Sequence, residues 1–338
     1  MRAAVAGPSW RLSSGTAVVA GLANARLDCA PTTAYVMLGE RCSGDCAFCA
    51  QARSSSAGAG QLSRVAWPAF EADGAAAAIA RGCNDGTLRR VCFQVTTGPG
   101  HLNVTIDAVR SMRARTTAPI CASVTVHSLD EIARLIEAGA SRVTLAIDAA
   151  CERVYLATKT GSWQRTDMLL SAAARAYPGQ IGTHLIVGLG ETEREMAQAL
   201  QRYADQGLAV GLFAFTPIAG TRLESAAPPD LGVYRRLQAV RWLISSRLAR
   251  ADYLSYDEHS RVVGLGLSVE RLLQVLSDPI DSPFRTSGCG DCNRPYYNER
   301  PGGALYNYPR PLSPAEARAE ANALVRALER PGASRESR

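Results

Sequence analysis

Cys42-Ser43-Gly44-Asp45-Cys46-Ala47-Phe48-Cys49 sets three thiols within eight residues. Thiolates are soft ligands, and a loop this compact can wrap one corner of a cubic iron-sulfur cluster. Three ligands leave the fourth iron open to chelate a small molecule, whereas a cluster that only carries electrons is usually closed by four protein ligands. The same thiols could serve zinc with a fourth ligand from afar, although zinc pairs more usually come as C-x2-4-C units separated by a longer gap. Inert core thiols fit poorly with so polar a loop.

The chain has ten cysteines. Cys289 and Cys292 form a second compact pair in the run Arg285-Thr286-Ser287-Gly288-Cys289-Gly290-Asp291-Cys292, while Cys92 and Cys121 stand singly in apolar runs. The plain reading of these four is two small buried hydrophobes and a local zinc knuckle. Cys29, Cys83 and Cys151 belong to no pattern and read as structural. Acid–base candidates are sparse: His101, His127, His184 and His259 are the only histidines, and none sits in a recognisable triad. That suits a reaction run by a cofactor.

The elements that must position these groups alternate along the chain. Strand-like runs span Ala34 to Leu38, Arg90 to Thr96, Ile120 to Val126, Arg142 to Ile147, Gln180 to Leu189 and Ala209 to Thr216. Helical patterns fall between them, at Trp67 to Arg81, Leu129 to Ala138, Asp167 to Ala176 and Thr192 to Gln206. Six strand-then-helix units imply parallel strands with crossover helices, an α/β fold in the form of a barrel or an open sheet. Val91, Phe93 and Val95 alternate with Cys92, Gln94 and Thr96, and the next two strands repeat the pattern. An apolar face packs on helices while a polar face looks inward. Ordinary eight-stranded barrels fill their interior with branched aliphatic residues, so a polar lining argues for a wider or incomplete barrel that holds a ligand.

With 338 residues, 47% hydrophobic and 20% charged, the chain lies well outside the disordered range. Its net charge of +6 comes almost wholly from arginine, Lys159 being the only lysine, and the arginines are spread without a basic block. Nucleic-acid binding is not expected. No run of about 18 apolar residues is present, so no spanning helix or membrane association is expected. Pro8, Trp10, Ser13, Ser14 and Gly15 interrupt the apolar stretch Met1 to Leu22, which argues against a secretory signal. A cytoplasmic location is the expectation, and there clustered thiols bind metal more often than each other.

The C-x3-C-x2-C spacing, with aromatic Phe48 before the last cysteine and a βα-repeat chain around it, resembles the radical S-adenosylmethionine (SAM) superfamily. The resemblance implies a partial (β/α)6 TIM-like barrel with a C-terminal extension. It also implies a [4Fe-4S] cluster on Cys42, Cys46 and Cys49 whose open iron binds the amino and carboxylate groups of S-adenosylmethionine. Members of the family cleave that molecule to methionine and a 5′-deoxyadenosyl radical, which abstracts hydrogen from an unactivated carbon. Thr96-Thr97-Gly98 occupies the place of the family's Gly-Gly-Glu-like segment; the acidic residue is missing, which leaves the methionine amino group to backbone carbonyls. Asp148 matches a ribose-contacting residue of biotin synthase. His184 to Glu191 is similar to the signature G-x-I-x-G-x-x-E, with Ile186 on the adenine, Gly188 at the second glycine, Glu191 opening the next helix and His184 replacing the first glycine. Phe215, within Phe213 to Pro217, is expected near adenine.

Within the superfamily the chain resembles the biotin synthase-like group. Cys92 and Cys121 fall where biotin synthase has two of three cysteines for a sulfur-donating auxiliary cluster; the third would fall near Gly182. The resemblance implies a second iron-sulfur cluster on Cys92, Cys121, Cys289 and Cys292. Phe284-Arg285-Thr286-Ser287 resembles the C-terminal Arg-Ser-Ser motif of lipoyl synthase, which makes Ser287 a candidate labile ligand, although that enzyme's N-terminal cysteine motif is absent. The combination best matches a subunit of the two-component lipoyl synthase of archaea and some bacteria. This implies an octanoylated lipoyl carrier protein as substrate, a second radical SAM subunit as partner, and ferredoxin or flavodoxin as electron donor. Biotin synthase acting on dethiobiotin, a radical SAM enzyme without sulfur insertion, and a zinc-stabilised binding protein are the alternatives. The expected organisation is an N-terminal extension over 1–29, the barrel over 30–228, a barrel-closing extension over 229–312, and a terminal helix with a frayed tail over 313–338.

Overall fold

Every residue of the run Thr33–Leu38 is buried, as a central parallel strand covered on both faces requires. The computed structural model describes residues 9–299 and 302–329. Its strands are β1 (Ser9–Leu12), β2 (Thr33–Leu38), β3 (Gln61–Leu62), β4 (Val65–Ala66), β5 (Ala69–Glu71), β6 (Arg90–Val95), β7 (Ile120–Ser123), β8 (Arg142–Thr144), β9 (Ile181–Val187), β10 (Ala209–Ala214), β11 (Ser255–Tyr256) and β12 (Val262–Gly264). The helices are α1 (Ser14–Val19), α2 (Ala72–Asn84), α3 (His101–Arg113), α4 (Leu129–Glu137), α5 (Glu152–Thr158), α6 (Trp163–Ala176), α7 (Glu193–Asp205), α8 (Leu231–Ser245), α9 (Val269–Leu276) and α10 (Pro314–Glu329).

The main sheet runs β10-β9-β8-β7-β6-β2-β1-β5. Strands β2 and β6 to β10 pair in parallel, each with its successor in the chain. This is the expected six-stranded βα barrel, left open. Sequence reasoning missed its far edge, where β1 pairs antiparallel with both β2 and β5. The expected helix from Trp67 accordingly starts only at Ala72. Residues 69–71 are drawn into the sheet by the unpaired backbone groups of β1, and Glu71 then caps α2 through the N–H groups of Asp73 and Gly74. The tail Pro331–Arg338 lies outside the described residues, as does the start of the stretch considered as a signal.

The alternation of the strands divides their two faces. Val91, Phe93, Ala122, Val143 and Leu145 enter the main apolar core against the helices. Cys92 packs instead on the inner side with Tyr35, Met37 and Trp67. Helix α7 is started by a capping box in which Thr192 and Glu195 satisfy each other's backbone N–H groups. Ser313 and Glu316 do the same before α10.

After α8 the chain turns back beneath the barrel. Thr32, just before β2, donates to Asn293 Oδ1 (3.0 Å) and to the Asp291 carbonyl, and Arg90 at the start of β6 donates to the Gly290 carbonyl at 2.8 Å. Segment 287–293 therefore crosses the end of the barrel where the strands begin. Buried Glu299 accepts from the backbone N–H groups of Asn298 and Asn307, and Asn307 Oδ1 accepts from Tyr234 of α8.

Candidate active site

The three-cysteine loop leaves the C-terminal end of β2 and is held from several sides. Cys42 N–H donates to the Gln51 carbonyl, Ser43 N–H to Thr97 and Ala47 N–H to Thr158, at 2.7 to 3.0 Å. Arg41 reaches underneath to the carbonyls of Ala50 and Ala57. Backbone groups so fully paired fix the directions of Cys42, Cys46 and Cys49, which all line one cavity of about 750 Å3. That volume lies in the range of small-molecule sites. Burial pushes the Cys46 thiol up and the Cys49 thiol to about 12, so without a metal to hold them as thiolates these two stay protonated.

Phe48, Thr96, Thr97, Asp148, Ile186 and Phe215 line the same cavity. Gly98 and Gly188 do not. The Gly98 carbonyl faces His101 Nδ1 at 2.8 Å while His101 Nε2 faces the Thr125 carbonyl at 2.8 Å, so this imidazole ties the Thr96–Gly98 turn to the segment after β7. Gly188 has φ of +100° and a Cβ there would lie 3.0 Å from Pro229; it shapes the turn that carries Ile186 rather than a wall. Glu191 does not open the next helix, which Thr192 caps. Its carboxylate accepts from the N–H groups of Gly188 (2.7 Å) and Leu189 (3.0 Å) and holds that turn closed.

Two cavity residues escaped sequence reasoning as site groups. Lys159 Nζ reaches Asp148 Oδ2 at 2.6 Å and the Ala146 carbonyl. Burial works against its charge, but Asp148 and Cys46 more than offset that and raise its pKa. Its being the only lysine was the one available signal, and a lone residue has no period to read. His184, noted among the four histidines and as a replaced glycine, stands edge-on to Phe213 with centroids 4.9 Å apart, and burial lowers its pKa to about 4. It is neutral at physiological pH.

Below the cavity lies a second group of thiols. Cys92 and Cys121 face each other across β6 and β7. Cys121 Sγ is 3.5 Å from Cys289 Sγ, and Cys292 packs in the apolar cluster of Cys92, with its sulfur 3.4 Å from the Tyr35 hydroxyl. All four come together although Cys121 and Cys289 are 168 positions apart. Cys289 is held below the ordinary thiol range, first by its hydrogen bond with Cys121 and then by Arg142 and Arg90. Ser287 lies on β10, where its hydroxyl oxygen accepts from Leu212 N–H at 2.9 Å. Tyr297 lines the cavity and packs in the same apolar cluster as Cys92 and Cys292, and desolvation chiefly raises the pKa of its phenol, with both Cys49 and Cys92 adding to the shift.

Residues 36–203 match the Radical SAM superfamily. The chain carries a radical SAM domain. The FeFe-hydrogenase maturase HydG from Carboxydothermus hydrogenoformans has a similar fold, with a TM-score of 0.50 at 13% identity over 64% of this chain and 51% of that one. Methylornithine synthase (PylB) is similar with a TM-score of 0.51 at 14% identity over 63% of this chain and 62% of that one. The chain thus spans less than two thirds of either. No curated protein matches the sequence.

The radical SAM domain calls for a [4Fe-4S] cluster and S-adenosylmethionine, and the residues present fit both. Among the described residues, no three His, Cys, Asp or Glu side chains group around one point as a single ion would need. A cubane makes no such demand, because each thiolate binds a different iron. Cys42, Cys46 and Cys49 would hold it, and when bound it supplies the electron that opens the sulfonium. The cavity walls combine apolar Ile186 and Phe215 with polar Thr96, Asp148 and Lys159, a lining chemically suited to a molecule with an aromatic base and a polar, charged remainder. No helix among the described residues is long and apolar enough to cross a membrane.

Proposed function

We propose that this radical SAM enzyme inserts sulfur at unactivated C–H carbons, as a lipoyl synthase component acting on an octanoyl chain carried by a lipoyl carrier protein. The observation that carries the reading is the second thiol group. Cys92, Cys121, Cys289 and Cys292 are the donor set of a second iron-sulfur cluster, and they lie beneath the cavity in which the radical forms. Replacing a strong aliphatic C–H bond by C–S at neutral pH has no acid–base route, and neutral, buried His184 offers none here. The residues of the chain have other work. They exclude water, orient the cofactor and bring the acyl carbon between the two thiol groups, past Tyr297. Ser287 serves as the labile ligand, taking the place of one of these thiolates when the sulfur source opens.

Biotin synthase proper is disfavoured by Gly182, which stands where that enzyme's third barrel cysteine would fall; a Cβ at this position would sit 3.1 Å from both the Thr144 hydroxyl and the Ala209 carbonyl, so a cysteine here needs its neighbours to give way. A second radical SAM subunit and a ferredoxin or flavodoxin complete the proposed system. Anaerobic reconstitution followed by iron and sulfide analysis tests the proposal, with about eight irons expected from two cubanes. Product analysis with octanoylated carrier peptide and with dethiobiotin then decides the substrate. About four irons, or thiolation of dethiobiotin alone, would overturn it.

A further inference from the structure

The second thiol group has a charged outer side that the chemistry above leaves unused. Arg90 Nη1 donates to Cys121 Sγ at 3.0 Å, and Arg90 Nε is tied to the Gly290 carbonyl. Arg142, in register with Cys121 on β8, spends Nη2 on the Gly179 carbonyl. The same guanidinium is hydrogen-bonded to the Cys289 side chain, and its buried Nε alone has no acceptor. A buried guanidinium N–H left unpaired is unfavourable, so a small acceptor seated beside it and Cys289 would be bound. Cys289 and Gly290 reach the surface here, being half-buried and exposed respectively. The acidic side chain on this loop, Asp291, is engaged by Arg89. Two guanidinium groups thus stand beside Cys121 and Cys289 at the end of the barrel where the strands begin, next to the exposed Gly290.

The geometry points to an anion port: Arg90 and Arg142 bind hydrosulfide from outside the barrel and present it at the Cys121–Cys289 edge. The inference rests on the proposed second cluster, because an enzyme that gives up sulfide from that cluster must take it in again, and the cavity side is filled by cofactor and substrate. Hydrosulfide suits the port by size and sign. It brings one negative charge, accepts the free Arg142 Nε–H and is the form in which sulfur joins iron. No bond is made at the arginines, which contribute binding alone.

The test follows cluster assembly rather than catalysis. Full-length Cys42→Ala protein, in which only the floor thiols can fill, is reconstituted anaerobically with excess iron and graded sodium sulfide. Iron, acid-labile sulfide and the growth of charge-transfer absorbance are recorded. Arg142→Gln is expected to raise the sulfide concentration for half-maximal assembly about tenfold, the equivalent of one charge-assisted contact, with the same final iron content at saturating sulfide. Arg142→Lys recovers most of the loss, and Arg90→Gln shifts in the same direction. Added salt weakens sulfide uptake in the parent and much less in Arg142→Gln. An unchanged half-saturation in both glutamine variants overturns the port while leaving the cluster in place. A parent that takes up no iron at saturating sulfide overturns the second cluster, and the port falls with it.

Discussion

Lys159 Nζ lies 2.6 Å from Asp148 Oδ2, and the two side chains are only 10% and 12% exposed. The chain holds the acid in place with a left-handed backbone, φ +60°, pinned to β9 by hydrogen bonds from Asp148 N–H to His184 and from Ile186 N–H to Asp148. Removing one partner of a buried pair leaves the other uncompensated. Asp148→Asn is therefore expected to lower stability by about 3–5 kcal/mol, and adding Lys159→Met to recover much of it. Urea midpoints of the two variants check this, and additive losses in the double variant would show that the pair is not coupled.

The three-cysteine loop gives a sharper expectation. Cys42→Ala removes one of three thiolates on the cavity wall and should abolish both the cluster and the cleavage of S-adenosylmethionine. Iron analysis together with the yield of 5′-deoxyadenosine measures it; undiminished cleavage would contradict the assignment.

Cys289→Ala separates the two thiol groups. It leaves the cavity wall intact, since Cys289 lies on the floor beside Cys121. Iron content should fall by about half, 5′-deoxyadenosine should still form, and thiolated product should disappear. Full sulfur transfer by this variant would remove the second thiol group from the reaction.

These expectations differ in how far they could be read before the fold was known. The loop at Cys42 to Cys49 is local, and eight residues state its chemistry. The six parallel strands were legible as short apolar runs spaced by helical patterns, and in β6, β7 and β8 period-2 alternation also told the two faces apart, down to the inward Cys92 and Gln94. The convergence of Cys121 with Cys289 was not legible from spacing, since nothing local links a strand to a turn so far along the chain, and only resemblance suggested it. Strands β1 and β5 were missed because pieces of four and three residues carry too few alternations to stand out, and they form only because they pair with each other and with β2. Lys159 stood out only as the one lysine of the chain, which says nothing of its place. Its role exists only once the segment after α5 returns it beneath Asp148.

His184 ties site and stability together through pH. Burial lowers its pKa from 6.5 to about 4, so the unfolded chain takes up a proton between these values that the folded chain refuses. The contribution is present in full above pH 6.5 and is lost as pH falls toward 4, amounting to about 2 kcal/mol between pH 7.5 and 5. His184→Phe keeps an aromatic edge for Phe213 and removes the titration, so its urea midpoint should fall less than that of the parent over the same interval. Equal losses in both proteins would mean that His184 is charged or solvated in the folded state, and the neutral cavity wall assigned to it would have to be abandoned.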